Sequence, residues 1–211
     1  MKSFGNWTTQ ELRNHFGLDD KESLTALTEW VNVQESLDAQ EEKEISALRK
    51  ELAALNESWN EDELKMRFIA PLMHLIGYGE KGKYNFFYQR TLSAKVGNEE
   101  LNGIVDMVVA KGWESPMIPY FFLHEYKQEE KKGDARAQLL AAMLVAQALN
   151  GNEKPVYGVY LIGASWRFIV LVGKDYAVER FDATKEQDIV KIFQMLKWVK
   201  HYIEKELGIV T

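Results

Sequence analysis

The sequence predicts an α/β (α+β) protein, with a mixed β-sheet flanked by helices. Apolar residues recur at helical spacing in some segments and at alternating, strand-like spacing in others, in the order helix, three strands, helix, strands, helix. The segment 120–123 is apolar at every position, which is typical of a strand buried on both faces. Together these observations predict a sheet covered by helices.

Composition excludes several classes of protein. The 211 residues are 46% hydrophobic and include no cysteine, so disulfides and thiolate metal sites are ruled out. No apolar run reaches the roughly 18–20 residues that span a bilayer, and we expect a cytoplasmic protein. Residues 1–60 hold 12 acids and 6 bases, whereas the rest of the chain holds 20 of each. Binding of nucleic acid would therefore need a local basic patch.

The charge difference suggests a helical N-terminal extension over 1–58 and an α/β core over 59–211. Thr8 begins a first helix that ends at Gly17, and residues 8–57 are predicted to be helical throughout. A charged helix follows, with an apolar stripe that includes Ile45 and Leu52. The stripe either lies on its own domain or forms a homodimer contact.

The core begins with a helix that starts at Asn60 and ends at Gly77, with an expected kink at Pro71. The predicted strands that follow are 84–96, 104–110, 118–127, 156–162, 166–172 and 176–181. A helix over 134–150 separates the third strand from the fourth, and Thr184 is expected to cap a last helix over 185–207.

Three charges fall in or at the end of apolar strands. Asp106 interrupts the second strand, and Glu125 and Lys127 end the third. Buried charges are costly unless they are paired or bind a metal. Glu125 and Lys127 are two residues apart, so they share one face of their strand, where Asp106 of the adjacent strand can meet them.

This arrangement suits Mg²⁺ or Mn²⁺, because such cations accept one or two carboxylates and keep water or phosphate oxygens as their other ligands. A bound cation could polarise a phosphodiester and activate water, with Lys127 stabilising the developing charge. The alternative is a purely structural ion pair of Lys127 with Asp106 or Glu125. His124 points away from Glu125 and is predicted to be structural.

The segments 103–106, 122–127 and 137–140 resemble the PD-(D/E)xK nuclease superfamily. The closest likeness is to the N-terminal nuclease domain of type I restriction enzyme motor (R) subunits and its stand-alone relatives. In those proteins a helix with an early Glu and an Ile-x-Pro-Leu segment precedes the core, and here Glu61 and 69–72 match that pattern, ending at Gly77-Tyr78.

The resemblance implies a restriction-endonuclease-like fold with Asp106 and Glu125 as Mg²⁺ ligands and Lys127 as the catalytic lysine. It implies Glu61 as the helical acid, with Glu63 as the competing choice, and a role for Gln138 of the following helix. The chain departs from the restriction branch at Ala142, where a Tyr is usual, and it contains no phosphate-binding motif of an ATP-driven motor.

Three functions are compatible with these residues. The first is metal-dependent hydrolysis of DNA by a small stand-alone endonuclease, related to restriction enzymes. The second is a catalytically inactive nuclease-fold module that binds nucleic acid or a protein partner. The third is an unrelated α+β domain. Lys127, Lys131, Lys132 and Arg136 form a basic cluster that fits contact with a phosphate backbone.

Overall fold

The computed structural model describes residues 2–127, 133–152 and 154–210. Its strands are β1 (Lys2–Ser3), β2 (Asp19–Asp20), β3 (Tyr84–Val96), β4 (Glu99–Lys111), β5 (Met117–Lys127), β6 (Val156–Ile162), β7 (Ser165–Val172) and β8 (Asp175–Asp182). Its α-helices are α1 (Thr9–Phe16), α2 (Thr25–Val31), α3 (Ala39–Leu55), α4 (Glu61–Leu64), α5 (Ala70–Ile76), α6 (Ala135–Asn150) and α7 (Glu186–Glu206). The predicted α/β class is confirmed.

The strands form one mixed sheet of eight strands in the order β1-β4-β5-β6-β7-β8-β2, with β3 also paired to β4. The β3–β4 and β4–β5 pairs are antiparallel. The chain then crosses over through α6, so that β6 runs parallel to β5. β7 and β8 complete an antiparallel meander.

Each face of the sheet is buried by its own group of helices. One core gathers α2, α3, α5 and α7 around Trp30, whose indole N–H donates to the Met195 carbonyl over 2.8 Å. The other core lies around α6, of which ten residues are buried, and includes Leu12 of α1. Burial on both sides explains why β5 reads as a continuous apolar run.

The N-terminal segment is not helical throughout, contrary to expectation. β1 pairs with β4 near one end of the sheet, and β2 pairs with β8 at the other. Residues 2–20 thus form a strap that joins distant strands, with α1 packed on α6. Phe4 of the strap lies against Gly103, where an added Cβ would come within 2.3 Å of its ring. The strap and α2–α3 contribute to the same two cores as the rest of the chain.

The apolar stripe of α3 is packed within the chain, since Ile45 and Leu52 are buried and α3 contacts α7. A homodimer through these helices stays a prediction. No α-helix in the described ranges is both long and apolar enough to cross a bilayer.

The interior of the helix predicted from Asn60 to Gly77 and the N-terminus of α7 differ in detail from the sequence expectations. Asn60 caps α4 as predicted, but a π-helical turn, Lys65–Ile69, joins α4 to α5 and places Pro71 in the first turn of α5. The expected cap at Thr184 is wrong. Its hydroxyl donates to Asp182 instead, and Lys185 is the N-cap residue of α7.

Candidate metal centre

Asp106 lies at a break in the strand pairing along one edge of β4. β3 pairs along one edge from Glu99 to Lys111, except at Asp106, so β1 and β5 share the other edge. β1 pairs with residues 101 and 102 and β5 with 107–111, which leaves positions 103–106 between them. Asp106 is the last residue of this gap, and its side chain is 12% exposed.

Neighbouring groups fix the orientation of the Asp106 carboxylate. The Tyr126 backbone N–H donates to Oδ2 over 2.8 Å, and the Gln89 amide donates to Oδ1 over 2.7 Å. The Lys65 Nζ lies 3.4 Å from the same Oδ1. The carboxylate is therefore held by groups from the sheet and from the helix that precedes it.

Glu125 stands opposite Asp106. The β4–β5 pairing ends at Met107 and His124, so Asp106 and Glu125 occupy the next two facing positions of these adjacent strands. Glu125 is buried, and burial together with the nearby Asp106 carboxylate raises its pKa to about 8, against the lowering influence of Lys127 and Lys65.

Lys127 joins this pair. Its Nζ lies 3.0 Å from Glu125 Oε1, and the two side chains are only 15% and 5% exposed. Asp106, Glu125 and Lys127 thus lie where the β4–β5 pairing ends, near the C-terminal end of β5. The contact between Lys127 and Glu125 is also what the structural ion-pair hypothesis expects, so it does not separate the two hypotheses.

Glu61 of α4 is linked to Asp106 through Lys65, which contacts both carboxylates. Lys65 Nζ lies 2.8 Å from Glu61 Oε1 and also reaches Asp106. Burial lowers the pKa of Lys65, but Glu61 and Asp106 outweigh it and raise the pKa overall. Glu63 is used differently, because its carboxylate accepts from the backbone N–H of Asn60 in the helix cap. Of the two acids considered from sequence, Glu61 is therefore the one that faces the site.

Sequence reasoning did not identify Lys65 or Gln89. Lys65 carried one signal, its spacing of four residues from Glu61 on a helix, which favours an ion pair. Gln89 carried none. Its importance comes from a backbone φ of 51°, rare for residues other than glycine, and from its position opposite Asp106, flanked by the paired residues Tyr88 and Arg90.

Gln138 lies on α6, with its side-chain amide near Gly5 and Gly133. In the described part of the chain it forms no hydrogen bond with Asp106, Glu125 or Lys127. Two lysines of the predicted basic cluster, Lys131 and Lys132, lie outside the described residues.

His124 points into the core opposite Glu125. It is fully buried, and its ring packs edge-on against Phe122 at 4.4 Å between centroids. Neither ring nitrogen has a hydrogen-bond partner among the described residues, and burial lowers its pKa to about 3. His124 is therefore a neutral core residue and not part of the carboxylate cluster.

The chemistry of the carboxylate pair fits a hard divalent cation. The pKa of Glu125 is raised by burial and by the Asp106 carboxylate, and a bound positive ion would favour the ionised form of both groups. Within the described ranges, no three His, Cys, Asp or Glu side chains are grouped to hold a metal. The protein would therefore supply two carboxylates, Asp106 and Glu125, and leave other positions to water or substrate oxygens, as Mg²⁺ accepts.

A cavity of about 440 Å³ opens beside Asp106. Its walls include Lys65, Gln89 and the ring of Tyr126, and two of its lining residues, Met66 and Tyr88, are 72% and 39% exposed. Exposed apolar side chains in the same cavity as Asp106 provide a surface on which part of a substrate can rest.

Neither the protein-family models nor the curated proteins compared with this sequence give a match.

Proposed function

We propose that this chain is a divalent-metal-dependent nuclease that hydrolyses phosphodiester bonds of DNA on a restriction-endonuclease-like fold. The observation that carries the proposal is the placement of Asp106 and Glu125 at facing positions of adjacent strands, with Lys127 beside Glu125. The three-stranded meander, crossover helix and parallel fourth strand support it, since they agree with the sequence resemblance.

Each residue has a distinct part in this proposal. Mg²⁺ held by Asp106 and Glu125 would polarise the phosphodiester and supply an activated water. Tyr126 and Gln89 hold the Asp106 carboxylate in place through their hydrogen bonds. Lys127 places a positive charge beside Glu125, where it would stabilise negative charge that develops on the phosphate.

The test is cleavage of supercoiled plasmid DNA with Mg²⁺ or Mn²⁺ by the wild type, Asp106→Asn and Lys127→Met. We expect nicking or linearisation by the wild type, and a loss of at least about 100-fold in both variants. Lys154→Met is the matched control, because Lys154 also forms an ion pair, with Glu206, but precedes β6 at the opposite end of the sheet. Equal traces of cleavage in all four proteins would indicate a contaminating nuclease and contradict the proposal.

The second candidate is a nuclease-fold module that binds nucleic acid without cleaving it. Lys65 favours this alternative, because its ammonium already lies near Asp106 Oδ1 and competes with a metal ion. Manganese binding followed by electron paramagnetic resonance separates the two. A nuclease should bind Mn²⁺ in a manner that Asp106→Asn abolishes, whereas the module should bind DNA without metal-dependent cleavage.

A further inference from the structure

The cavity beside Asp106 combines polar and apolar walls. Its volume is about 440 Å³, and its lining includes Lys65, Met66, Tyr88, Gln89 and Asp106. Pockets that hold small organic molecules commonly measure about 300–1,000 Å³ and place a few polar groups on a largely apolar lining. The cavity therefore fits a ligand that has both a charged part and an apolar part.

Tyr88 offers an accessible aromatic ring in this cavity. It is 39% exposed, whereas Tyr126, which also lines the cavity, is buried. The Tyr88 ring packs against Phe86, with centroids 5.5 Å apart and ring planes at 80°. Because Phe86 restricts its movement, the Tyr88 ring is held in place for contact with a ligand, and little conformational entropy is lost on binding.

Met66 adds a second accessible apolar group. It belongs to the π-helical turn that follows α4, lines the same cavity and is 72% exposed. The methionine side chain is unbranched and adaptable, and its sulfur makes favourable contacts with aromatic rings. Met66 can therefore adjust to a flat ring that rests on Tyr88.

Tyr88 lies next to the candidate metal centre. It precedes Gln89 in β3 and pairs with Met107, the residue that follows Asp106 in β4. Lys65 Nζ lies 3.4 Å from Asp106 Oδ1, which places a positive charge in the same cavity. A phosphate bound between this ammonium and the metal centre would leave the adjoining nucleoside beside Tyr88.

We propose that this cavity holds an unpaired nucleobase stacked on Tyr88, so that the substrate is single-stranded DNA or an unpaired stretch of a duplex. The inference rests on the proposed nuclease function. Bases inside a duplex are stacked on both sides and present only their edges in the grooves. The face of a base can reach Tyr88 only when that base has left the stack. Every base has such a face, so the contact tolerates any sequence.

Binding of three fluorescent oligonucleotides in EDTA tests the cavity without cleavage. They are a single strand of about 16 nucleotides, its blunt duplex, and a strand of the same length in which abasic sites replace the bases. We expect the wild type to bind the base-bearing single strand about tenfold more tightly than either of the others, because only this strand offers the faces of its bases.

Substitutions of Tyr88 show whether its ring causes this preference. Tyr88→Phe keeps the ring and should keep the wild-type preference. Tyr88→Leu keeps apolar bulk but has no ring, so it should lose about tenfold in affinity for the base-bearing strand and nothing for the abasic strand. Trp113→Leu is the matched control, because Trp113 is 41% exposed but follows the end of β4 and does not line the cavity. Thermal unfolding of the same variants verifies folding.

Three results would overturn the proposal. One is equal affinity of the wild type for the base-bearing and abasic strands, including no measurable binding of either. Another is a preference for the duplex over the single strand. The third is a Tyr88→Leu variant that discriminates between the strands as well as Trp113→Leu does.

Cleavage is measured separately with Mg²⁺, so failure of the nuclease proposal is distinguishable. Binding that depends on Tyr88 without any cleavage supports the base-binding cavity and refutes the nuclease. Cleavage of duplex and single strand at equal rates, unaltered in Tyr88→Leu, supports the nuclease and refutes the cavity. The supercoiled plasmid remains a suitable substrate, because negative supercoiling favours unpairing of the strands.

Discussion

Gln89 faces Asp106 across the β3–β4 pair, and its side-chain amide donates to Asp106 Oδ1 over 2.7 Å. The residue adopts a left-handed backbone conformation, with a φ of 51°. Such conformations cost about 1 kcal/mol or more outside glycine and are often found at functional sites. In Gln89 the unusual backbone conformation accompanies a hydrogen bond to Asp106, a candidate metal ligand.

Replacing Gln89 should separate backbone strain from the hydrogen bond. Gln89→Ala and Gln89→Gly both remove the amide, so we expect both to lower metal affinity or cleavage by about 10-fold or more. Only the glycine variant relieves the left-handed conformation, so Gln89→Gly should be about 1 kcal/mol more stable than Gln89→Ala. Equal activity of Gln89→Ala and the wild type would remove Gln89 from the site.

Lys65 competes with a cation for Asp106. Replacing it with Met removes a charge 3.4 Å from Asp106 Oδ1 while keeping an apolar stem. We expect Lys65→Met to bind Mn²⁺ about tenfold more tightly, because a like charge near the metal is removed. Titration by electron paramagnetic resonance measures this, with Lys83→Met, which loses an exposed ion pair with Glu80, as the matched control. Weaker Mn²⁺ binding would instead make Lys65 a support for the site.

His124 should make the fold sensitive to acid. Its pKa is about 3 in the folded protein, below the ordinary value of 6.5, because the buried ring resists protonation. As pH falls below 6.5, the unfolded chain binds a proton at His124 that the folded protein does not bind. The folded protein therefore loses stability progressively down to about pH 3. His124→Phe cannot be protonated and keeps the aromatic packing.

The difference in unfolding free energy between His124→Phe and the wild type isolates this effect. As pH falls from about 6.5 to about 4.5, the unfolding free energy of His124→Phe should rise by about 2 kcal/mol relative to that of the wild type. Urea unfolding in EDTA at several pH values measures it. Taking a difference matters because Glu125, with its raised pKa of about 8, acts in the other direction: its folded form gains stability on protonation as pH falls from about 8 to 4.5. A difference that is constant with pH would contradict the assignment.

Gly103 should be intolerant of a side chain. A Cβ there would lie 2.3 Å from one carbon of the Phe4 ring. We expect Gly103→Ala to destabilise the protein by about 1–3 kcal/mol, because the strap must shift. Adding Phe4→Leu to Gly103→Ala should recover part of the loss in a double-mutant cycle. Additive effects would show that the two residues do not meet in solution.

The core elements could be predicted from sequence because each has a strong local signal. Strand periodicity placed β3, β5 and β6 within a residue of their observed ends, and Asn60 marked the start of α4. The strap could not be predicted, since β1 and β2 have two residues each and exist only through pairing with distant strands. Thr184 failed as a cap because α7 begins one residue later than predicted, with Lys185 at its N-cap position.

The candidate site was predictable to the same degree. Asp106, Glu125 and Lys127 stood out as charges among apolar residues, and the structure places them together. Gln89 looks like an ordinary polar residue of a strand, and only the register between strands gives it a place opposite Asp106. Local sequence reveals which residues are unusual, but tertiary pairing decides their neighbours.

The strap also has a consequence for the order in which the molecule is assembled. Residues 2–20 leave the ribosome before the strands they pair with, so Lys2 must wait for Leu101 and Asp20 for Tyr176. Such long loops close slowly, because their entropy is lost before any contact is gained. We expect the apolar face of α6 that the strap covers to stay open until β8 has been made, which makes this face a natural binding place for a chaperone on the nascent chain.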